Sequence, residues 1–274
     1  MSKYSLLPQQ LLYEGTLTKE NFFAPDLASE TQILRTHCPD YFQSLLEGSI
    51  DGKAQRKIGF PWSAQLIERE RTIGQGTIDN TLFAIKNGCS LNIAGGTHHA
   101  FYDRGEGFCM LNDIMLAAHH ALDYSGISRI LVVDLDVHQG NGTAAMAADD
   151  SRIFTFSMHG EKNYPYRKEF SDLDLPLPDY IEDKTYLSLL TMRRTSASLK
   201  RTSTTDKLTW KPKLTELVKE EQLKEELPDS PELEDAKYKA EKDKLEACPT
   251  DTKQSRRSSA AKGVILVDCE AKVA

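Results

Sequence analysis

The sequence predicts an α/β protein with a mainly parallel sheet, and two observations carry that prediction. Stretches with helical spacing of apolar residues alternate with short apolar runs, which is the pattern of βαβ units with buried parallel strands and helices on the faces of the sheet. The chain has 274 residues and is 39% apolar, which is enough for a sizeable core. We therefore expect a three-layer domain in residues 1–190.

Helices and strands alternate along this predicted domain. The predicted helices cover residues 8–22, 63–87 and 111–124, and the predicted strands cover residues 90–94, 129–134 and 152–157. A further strand-like run occurs at 264–268. Because sites in parallel sheets form at the carboxyl ends of the strands, the residues that follow each strand are the candidates for chemistry.

The charge balance changes near residue 190. Residues 1–190 contain 16 Lys and Arg against 25 Asp and Glu, whereas the 84 residues from 191 to 274 contain 18 against 16 and only two aromatic residues, Trp210 and Tyr238. A segment so rich in charge cannot bury enough apolar surface to offset the entropy lost on ordering. We predict that residues 191–274 form a mostly disordered tail.

Composition also excludes several classes of protein. The net charge of -7 argues against direct binding of nucleic acid over the whole surface. No apolar run approaches the about 18 residues of a membrane span, so no membrane partner is expected. The five cysteines are scattered, so a disulfide framework is not expected. The first residues lack the apolar stretch of a signal peptide, which predicts a cytoplasmic location, or a nuclear one in a eukaryote.

The most specific pattern follows the second predicted strand, where Asp134, Asp136 and His138 alternate with apolar residues. In an extended chain, side chains two positions apart face the same way. Asp136 and His138 offer an oxygen and an imidazole nitrogen, a ligand pair suited to Zn²⁺. The alternative is a buried Asp–His hydrogen bond that caps the next helix. The Gly-Asn-Gly sequence at 140–142 favours a site, because glycine lets the backbone approach closely.

A histidine pair, His98 and His99, follows two glycines after the first predicted strand. Adjacent side chains point in different directions, so both rarely bind one metal. General acid–base chemistry near neutral pH suits them better, and a purely structural role is the alternative. His119 and His120 fall inside a helical pattern, and we expect them on the surface or in packing contacts.

Three motifs in order resemble the zinc-dependent histone deacetylase family. They are Gly-Gly-Thr-His-His-Ala-Phe at 95–101, Gly-Glu-Gly-Phe-Cys-Met-Leu-Asn-Asp at 105–113 and Val-Asp-Leu-Asp-Val-His-Gln-Gly-Asn-Gly-Thr at 133–143. The match runs from about residue 3 to about residue 190 and looks closest to bacterial and class IV members. The resemblance implies the arginase/deacetylase fold and hydrolysis of an acetylated lysine in a protein, or of a small acylated amine.

The resemblance also implies catalytic roles for individual residues. His98 and His99 would be the tandem acid–base pair of the family. Asp134 would orient His98, and Asn141 would sit behind His99. Zinc would activate a water molecule for attack on the amide, while a histidine takes its proton and later protonates the leaving amine.

Metal and substrate contacts follow from the same resemblance. Asp136 and His138 would be two of the family's three protein ligands to zinc. Gly107 and Phe108 would line the narrow channel for the acyl-lysine stem. The residues that match the family's potassium site, partly through backbone oxygens, are Asp134, Asp136, His138, Ser157 and Met158.

From about residue 191 the resemblance is lost. The family takes its third zinc ligand, an Asp, from a later strand and an oxyanion-stabilising Tyr from a Gly-rich loop, and neither motif follows in this sequence. The run at 264–268 is not expected to replace the missing ligand. The alternative function is a truncated, inactive deacetylase that binds acyl-lysine or acts as a regulatory interaction protein. Arg-Arg-Thr-Ser at 193–196 and Arg-Arg-Ser-Ser at 256–259 resemble kinase sites in the predicted tail.

Overall fold

The chain forms an α/β fold around a parallel sheet. The computed structural model describes residues 3–196 and 263–268. Within them the strands are β1 (Arg129–Asp134), β2 (Ile153–Gly160), β3 (Leu173–Leu177) and β4 (Gly263–Asp268). The strand order is β3-β2-β1-β4, and each pairing is parallel. The predicted fold class is confirmed.

Helices connect these strands and precede them. The helices of the described residues are α1 (Lys3–Tyr13), α2 (Glu30–Leu34), α3 (Pro39–Glu47), α4 (Gly52–Ile58), α5 (Ala64–Asn87), α6 (Asp113–Tyr124), α7 (Asn141–Ala147) and α8 (Asp183–Ser196). The chain divides into two compact units, and α8 belongs to the second, residues 180–260. The first unit contains residues 1–179 and 261–274, and hence the whole sheet. None of the described helices is long and apolar enough to cross a membrane.

The register of the sheet brings three polar residues to one edge. Asp134 at the end of β1 pairs with Ser157 of β2 on one side and with Asp268 of β4 on the other. Carboxyl ends of parallel strands are where α/β proteins form their sites. The sheet therefore presents polar positions on three adjacent strands at the edge where chemistry is expected.

The helix α6 packs against the sheet and is largely buried. Its N-terminus is capped by the side chain of Asn112, which accepts a hydrogen bond from the backbone N–H of Met115, as an N-cap residue does. Met115 and Ala118 lie in one apolar cluster with Ile130 of β1. The burial of this helix fixes its first residues, which lie beside the histidine pair.

Most of the predicted elements are confirmed. The helices predicted at 63–87 and 111–124 correspond to α5 and α6, and the strands predicted at 129–134 and 152–157 correspond to β1 and β2. The helix predicted at 8–22 is wrong in extent, because α1 covers only Lys3–Tyr13. The helix ends at Tyr13, and two residues later Gly15 has a left-handed backbone with φ of 70°, which does not continue a helix.

The strand predicted at 90–94 is wrong. Asn92 accepts a hydrogen bond on Oδ1 from the backbone N–H of Ala94, and its Nδ2 donates to Ile73 O and Thr77 Oγ1. Such local side-chain bonds compete with strand pairing. Leu91 is 71% exposed, so this segment does not behave as a buried strand. The histidine pair therefore follows a turn, and other contacts must hold it.

Part of the predicted tail is regular. The helix α8 continues to Ser196 across the predicted boundary at residue 190, and β4 joins the sheet. Residues 197–262 and 269–274 lie outside the described residues, and the prediction of disorder falls on them. The kinase-like sequence at 193–196 forms the end of α8. The second one, at 256–259, lies outside the described residues.

Candidate active site

Each of the paired histidines contacts one buried polar partner. His98 Nδ1 lies 2.8 Å from Asp134 Oδ2, and His99 Nδ1 lies 2.7 Å from Asn141 Oδ1. All four residues are at most 3% exposed, and the two imidazole centroids are 4.1 Å apart. Because both partner oxygens accept hydrogen bonds, each neutral imidazole carries its proton on Nδ1. Proton transfer then falls to the other ring nitrogen, Nε2.

Two glycines allow the partners to come this close. A Cβ atom on Gly140 would lie 2.1 Å from Asp134 Oδ2, and one on Gly142 would lie 2.2 Å from Ala100 O. Both distances are far below van der Waals contact. The Gly-Asn-Gly sequence is thus required by close packing of the β1–α7 connection against the histidine segment.

Asp136 and His138 form a second polar pair beside the histidines. Asp136 Oδ1 lies 3.0 Å from His138 Nδ1 and accepts the backbone N–H of His138 at 2.7 Å. Asp136 Oδ2 is buried and accepts no hydrogen bond from the described residues. A buried carboxylate oxygen without a partner is costly, and this donor set matches zinc preferences. The pair fits a metal ion.

A full ligand set is not seen in the part of the chain that the structure describes. Among the side chains that the structure describes, in residues 4–190, no group of three or more His, Cys, Asp or Glu is arranged to hold a metal. By backbone register Asp268 ends β4 opposite Asp134, at the same edge of the sheet as the Asp136–His138 pair. Its position is therefore the relevant one for a third carboxylate.

Gly107 lies against His99, and Phe108 follows it in the loop that the resemblance assigns to the substrate channel. A Cβ atom on Gly107 would lie 2.7 Å from His99 Cδ2, so only glycine fits there. Phe108 is 55% exposed, and its ring packs against Phe60 with centroids 5.1 Å apart. Both residues have positive φ, and their backbone N–H groups donate to the carbonyls of Lys57 and Ile58. The loop is held by its backbone while the Phe108 ring faces solvent.

Sequence reasoning did not assign a role to Tyr164, which is part of the same wall. Its ring is perpendicular to that of His99, with centroids 4.9 Å apart, and lies 6.2 Å from His138. Its hydroxyl donates to Glu106 at 3.3 Å. Burial, reinforced by Glu106, raises the pKa of Tyr164 to about 12. The Asn-Tyr-Pro sequence at 163–165 fits the family resemblance, but spacing alone does not indicate contact with His99.

The residues of the expected potassium site lie at the ends of β1 and β2. Ser157 is buried, pairs with Asp134 by register, and its hydroxyl lies 2.9 Å from His159 Nδ1. Met158 is buried beside it. Asp134 also accepts the backbone N–H of Asp136 on Oδ1 at 3.0 Å. These contacts place the residues close together, and the potassium ion itself stays a prediction.

The fold and this site define an α/β protein with a cluster of His and Asp side chains at the carboxyl end of a parallel sheet. Residues 1–201 match the family model described as the histone deacetylase domain. The chain therefore belongs to the histone deacetylase family, and the predicted family is confirmed.

Curated relatives span bacteria and plants. An uncharacterized protein of Picosynechococcus sp. is 45% identical over 190 residues, covering 69% of this chain and 63% of that protein. Histone deacetylase 2 of Arabidopsis thaliana is 31% identical, and the match covers 60% of this chain and 44% of that protein. Acetoin utilization protein AcuC of Staphylococcus aureus is 30% identical and covers 68% and 53%. The chain thus spans 44–63% of the length of these relatives.

Solved structures of the family share the fold. A histone deacetylase homolog from Aquifex aeolicus superposes with a TM-score of 0.57 at 26% identity, covering 64% of this chain and 52% of that one. A histone deacetylase homolog complexed with SAHA gives a TM-score of 0.59 at 25% identity, covering 67% and 56%. The similarity extends over the described domain and over about half of each solved chain.

Proposed function

We propose that this protein hydrolyses the amide of acetylated lysine as a zinc-dependent deacetylase. The observation that carries the proposal is the pair of buried Asp136 and partly exposed His138, in which Asp136 Oδ2 has no hydrogen-bond partner among the described residues, beside two histidines that each bind a buried acceptor. Membership of the deacetylase family supports the same reaction. The chain covers only part of its relatives, so the activity is a proposal for this chain.

The residues divide the chemistry between them. Asp136 and His138 would hold the zinc ion, which when bound polarises the amide carbonyl and lowers the pKa of a water molecule. Asp134 offers a negative partner to a protonated His98, whereas Asn141 offers a neutral one to His99. One of the two histidines accepts a proton from water on its Nε2 atom. One of them then donates a proton to the leaving amine.

The proposed substrate is an acetylated lysine of a protein, or a small acylated amine of the same shape. Gly107 and Tyr164 contact His99, and Phe108 lies exposed next to them. An apolar wall of this kind suits the four methylene groups of a lysine stem. The solved homolog complexed with SAHA supports binding of a small molecule by this fold.

The second candidate is a protein that binds acyl-lysine without hydrolysing it. It is favoured by the ligand set, since among the described side chains of residues 4–190 no third metal-ligating group joins Asp136 and His138. A two-ligand site binds zinc more weakly than the three-ligand sites of catalytic zinc proteins. Contacts with a kinase or another partner through residues 191–274 belong to this second proposal, and the cytoplasmic location remains a prediction.

A potassium ion is proposed at Asp134, Ser157 and Met158, together with backbone oxygens of Asp136 and His138. Support comes from the register that pairs Asp134 with Ser157. We expect a higher unfolding temperature in KCl than in NaCl at equal ionic strength, because an ion that binds only the folded state stabilises it. Equal unfolding temperatures would remove potassium from the proposal.

The decisive experiment measures zinc content and acetyl-lysine hydrolysis on one purified sample of the full chain. About one zinc per chain with turnover supports the deacetylase. Binding of acetyl-lysine peptide without turnover supports the second candidate, and neither binding nor turnover contradicts both. Asp136→Asn and His138→Gln are expected to lose zinc. Their matched controls are Asp149→Asn and His120→Gln, which lie away from the site.

A further inference from the structure

A carboxylate outside the catalytic set holds the backbone that precedes the histidine pair. Asp113 is 1% exposed. Its Oδ1 accepts the backbone N–H of Thr97 at 2.7 Å, and its Oδ2 accepts the backbone N–H of Gly96 at 3.1 Å. The Thr77 hydroxyl donates to Oδ2 at 2.5 Å, and the Thr97 hydroxyl lies 2.6 Å from Oδ1 and shares its one proton with Leu111 O at 2.5 Å. Both carboxylate oxygens therefore act as acceptors of a backbone N–H.

The preceding residue holds the chain on the other side of the histidines. Asn112 Nδ2 donates to Ala100 O and to Thr143 Oγ1, each at 3.0 Å. Ala100 follows His99 directly in the sequence. The first residues of α6 thus bind the backbone both before His98 and after His99.

This arrangement replaces the strand that the sequence predicts at 90–94. Without strand pairing, the histidine segment has no ladder of backbone hydrogen bonds to fix it. Asp113 is at the N-terminus of α6, where the helix dipole favours a negative charge, and it forms no ion pair with any described residue. Its charge is balanced by N–H and O–H donors, and such charge-assisted hydrogen bonds are short and strong.

We propose that Asp113 is a positioning residue that sets His98 and His99 against Asp134 and Asn141. The inference rests on the proposed function in so far as the histidines are its acid–base pair. In Asp113→Asn one oxygen becomes an NH₂ group, which is a donor facing the N–H donor of Gly96 or Thr97. One backbone N–H loses its acceptor, and the histidine segment shifts away from its partners.

The test observes the histidines themselves. We would record ¹⁵N NMR spectra of the imidazole nitrogens in the full chain at one pH, with the signals assigned by His98→Gln and His99→Gln. In the wild type we expect the Nδ1–H tautomer at both residues. In Asp113→Asn we expect that single signature to be lost for His98 and His99, with the fold retained by circular dichroism.

Two further variants keep the test decisive. Thr77→Val preserves shape but removes one of the four donors to Asp113, and we expect a smaller change of the same signals. Asp123→Asn changes the other end of α6, where Asp123 pairs with Arg35 at 2.7 Å, and leaves both histidine signals unchanged. If Asp113→Asn does not fold, the histidine signals of Thr77→Val test the proposal instead. Unchanged histidine signals in a folded Asp113→Asn or in Thr77→Val overturn the proposal.

Hydrolysis of an acetyl-lysine peptide supplies a separate readout. We expect Asp113→Asn to lower kcat on the order of 10²-fold, since a misplacement of about 1 Å has that effect, while KM changes less than about twofold because the channel wall is untouched. A rise in KM with unchanged kcat contradicts a positioning role. An inactive wild type counts against the proposed function alone, because the NMR signals still report the position of the histidines.

Discussion

At the scale of single residues, the site depends on packing that leaves no room for an added methyl group at Gly140 or Gly142. Asp134 contacts His98 because Gly140 has no side chain that would displace the carboxylate. The next residue, Asn141, contacts His99. Among the described residues, nothing donates a hydrogen bond to the buried Oδ2 of Asp136, which is a cost in stability unless a cation binds there. The geometry is therefore sensitive to changes of a single methyl group.

Gly140→Ala should disturb the site directly. The new methyl group would overlap Asp134 Oδ2, so the carboxylate must move away from His98. We expect a loss in the free energy of unfolding of about 1–3 kcal/mol, the usual effect of overpacking, measured by urea denaturation. Gly52→Ala is the control, because its nearest neighbour is the flexible side chain of Arg56 at 3.6 Å. Equal stability of the two variants would contradict the packing described.

The contribution of Asp268 to zinc binding is a second prediction at this scale. The sequence predicts that the run at 264–268 does not complete the ligand set, although β4 ends at the right edge of the sheet. We expect Asp268→Asn to keep zinc affinity within about twofold, whereas Asp136→Asn lowers it at least about tenfold. Competition with a chelator measures both. A comparable loss in the two variants would instead assign the third ligand to β4.

At the scale of elements, α6 organises the domain. Its first residues bind the histidine segment, and its buried face packs on β1 and β2. Two neutral histidines join it to the chain that follows α2. His37 Nε2 accepts the backbone N–H of Asn112 at 3.0 Å, and His119 Nδ1 lies 2.9 Å from Thr36 Oγ1. The contact of His37 requires an uncharged imidazole, because Nε2 accepts a hydrogen bond there.

Protonation of the buried histidines should destabilise the fold in acid. Burial lowers the pKa of His37 and of His119 to about 4, below the value of about 6.5 in the unfolded chain. The unfolded state binds more protons between these values, so stability is complete above pH about 6.5 and falls as the pH drops toward 4.

The size of this effect can be isolated with His119→Gln. Between pH 7 and pH 4.5 we expect the wild type to lose on the order of 2 kcal/mol more in its free energy of unfolding than the variant does. Urea denaturation at the two pH values measures the difference. His120→Gln is the control on the same helix, because His120 is only partly buried. Parallel pH profiles for the wild type and His119→Gln would refute the assignment.

At the scale of the whole molecule, the sheet is completed by a strand from the far end of the sequence. β4 pairs with β1 over the full length of both strands, and β1 would otherwise present an open edge. This pairing brings residues 129 and 263 together across 134 positions of the chain. The described domain therefore includes part of what the charge pattern assigns to a tail.

Proline substitutions test whether β4 belongs to the sheet. Backbone N–H groups of an edge strand point alternately toward and away from the neighbouring strand, so of Ile265→Pro and Leu266→Pro one removes a hydrogen bond to β1 and the other does not. We expect one variant to lose more than about 1 kcal/mol in the free energy of unfolding and the other to lose much less. Full stability of both variants would contradict the strand.

Local patterns in the sequence determined the class of fold, the order of most elements and the residue types at the site. Alternation and short apolar runs suffice for β1, β2, α5 and α6, because neighbours in the sequence decide their periodicity. The Asp-x-Asp-x-His and His-His patterns indicated which side chains would be chemically active.

Tertiary structure decided the contacts between distant segments. The bonds of Asn92 to Ile73 and Thr77, the binding of Asp113 to the histidine segment, the contact of Tyr164 with His99 and the pairing of β4 with β1 all join residues far apart in the chain. Sequence periodicity reports only which face of an element is apolar. Which partner covers that face, and which polar group satisfies a buried donor, depends on packing that no local pattern contains.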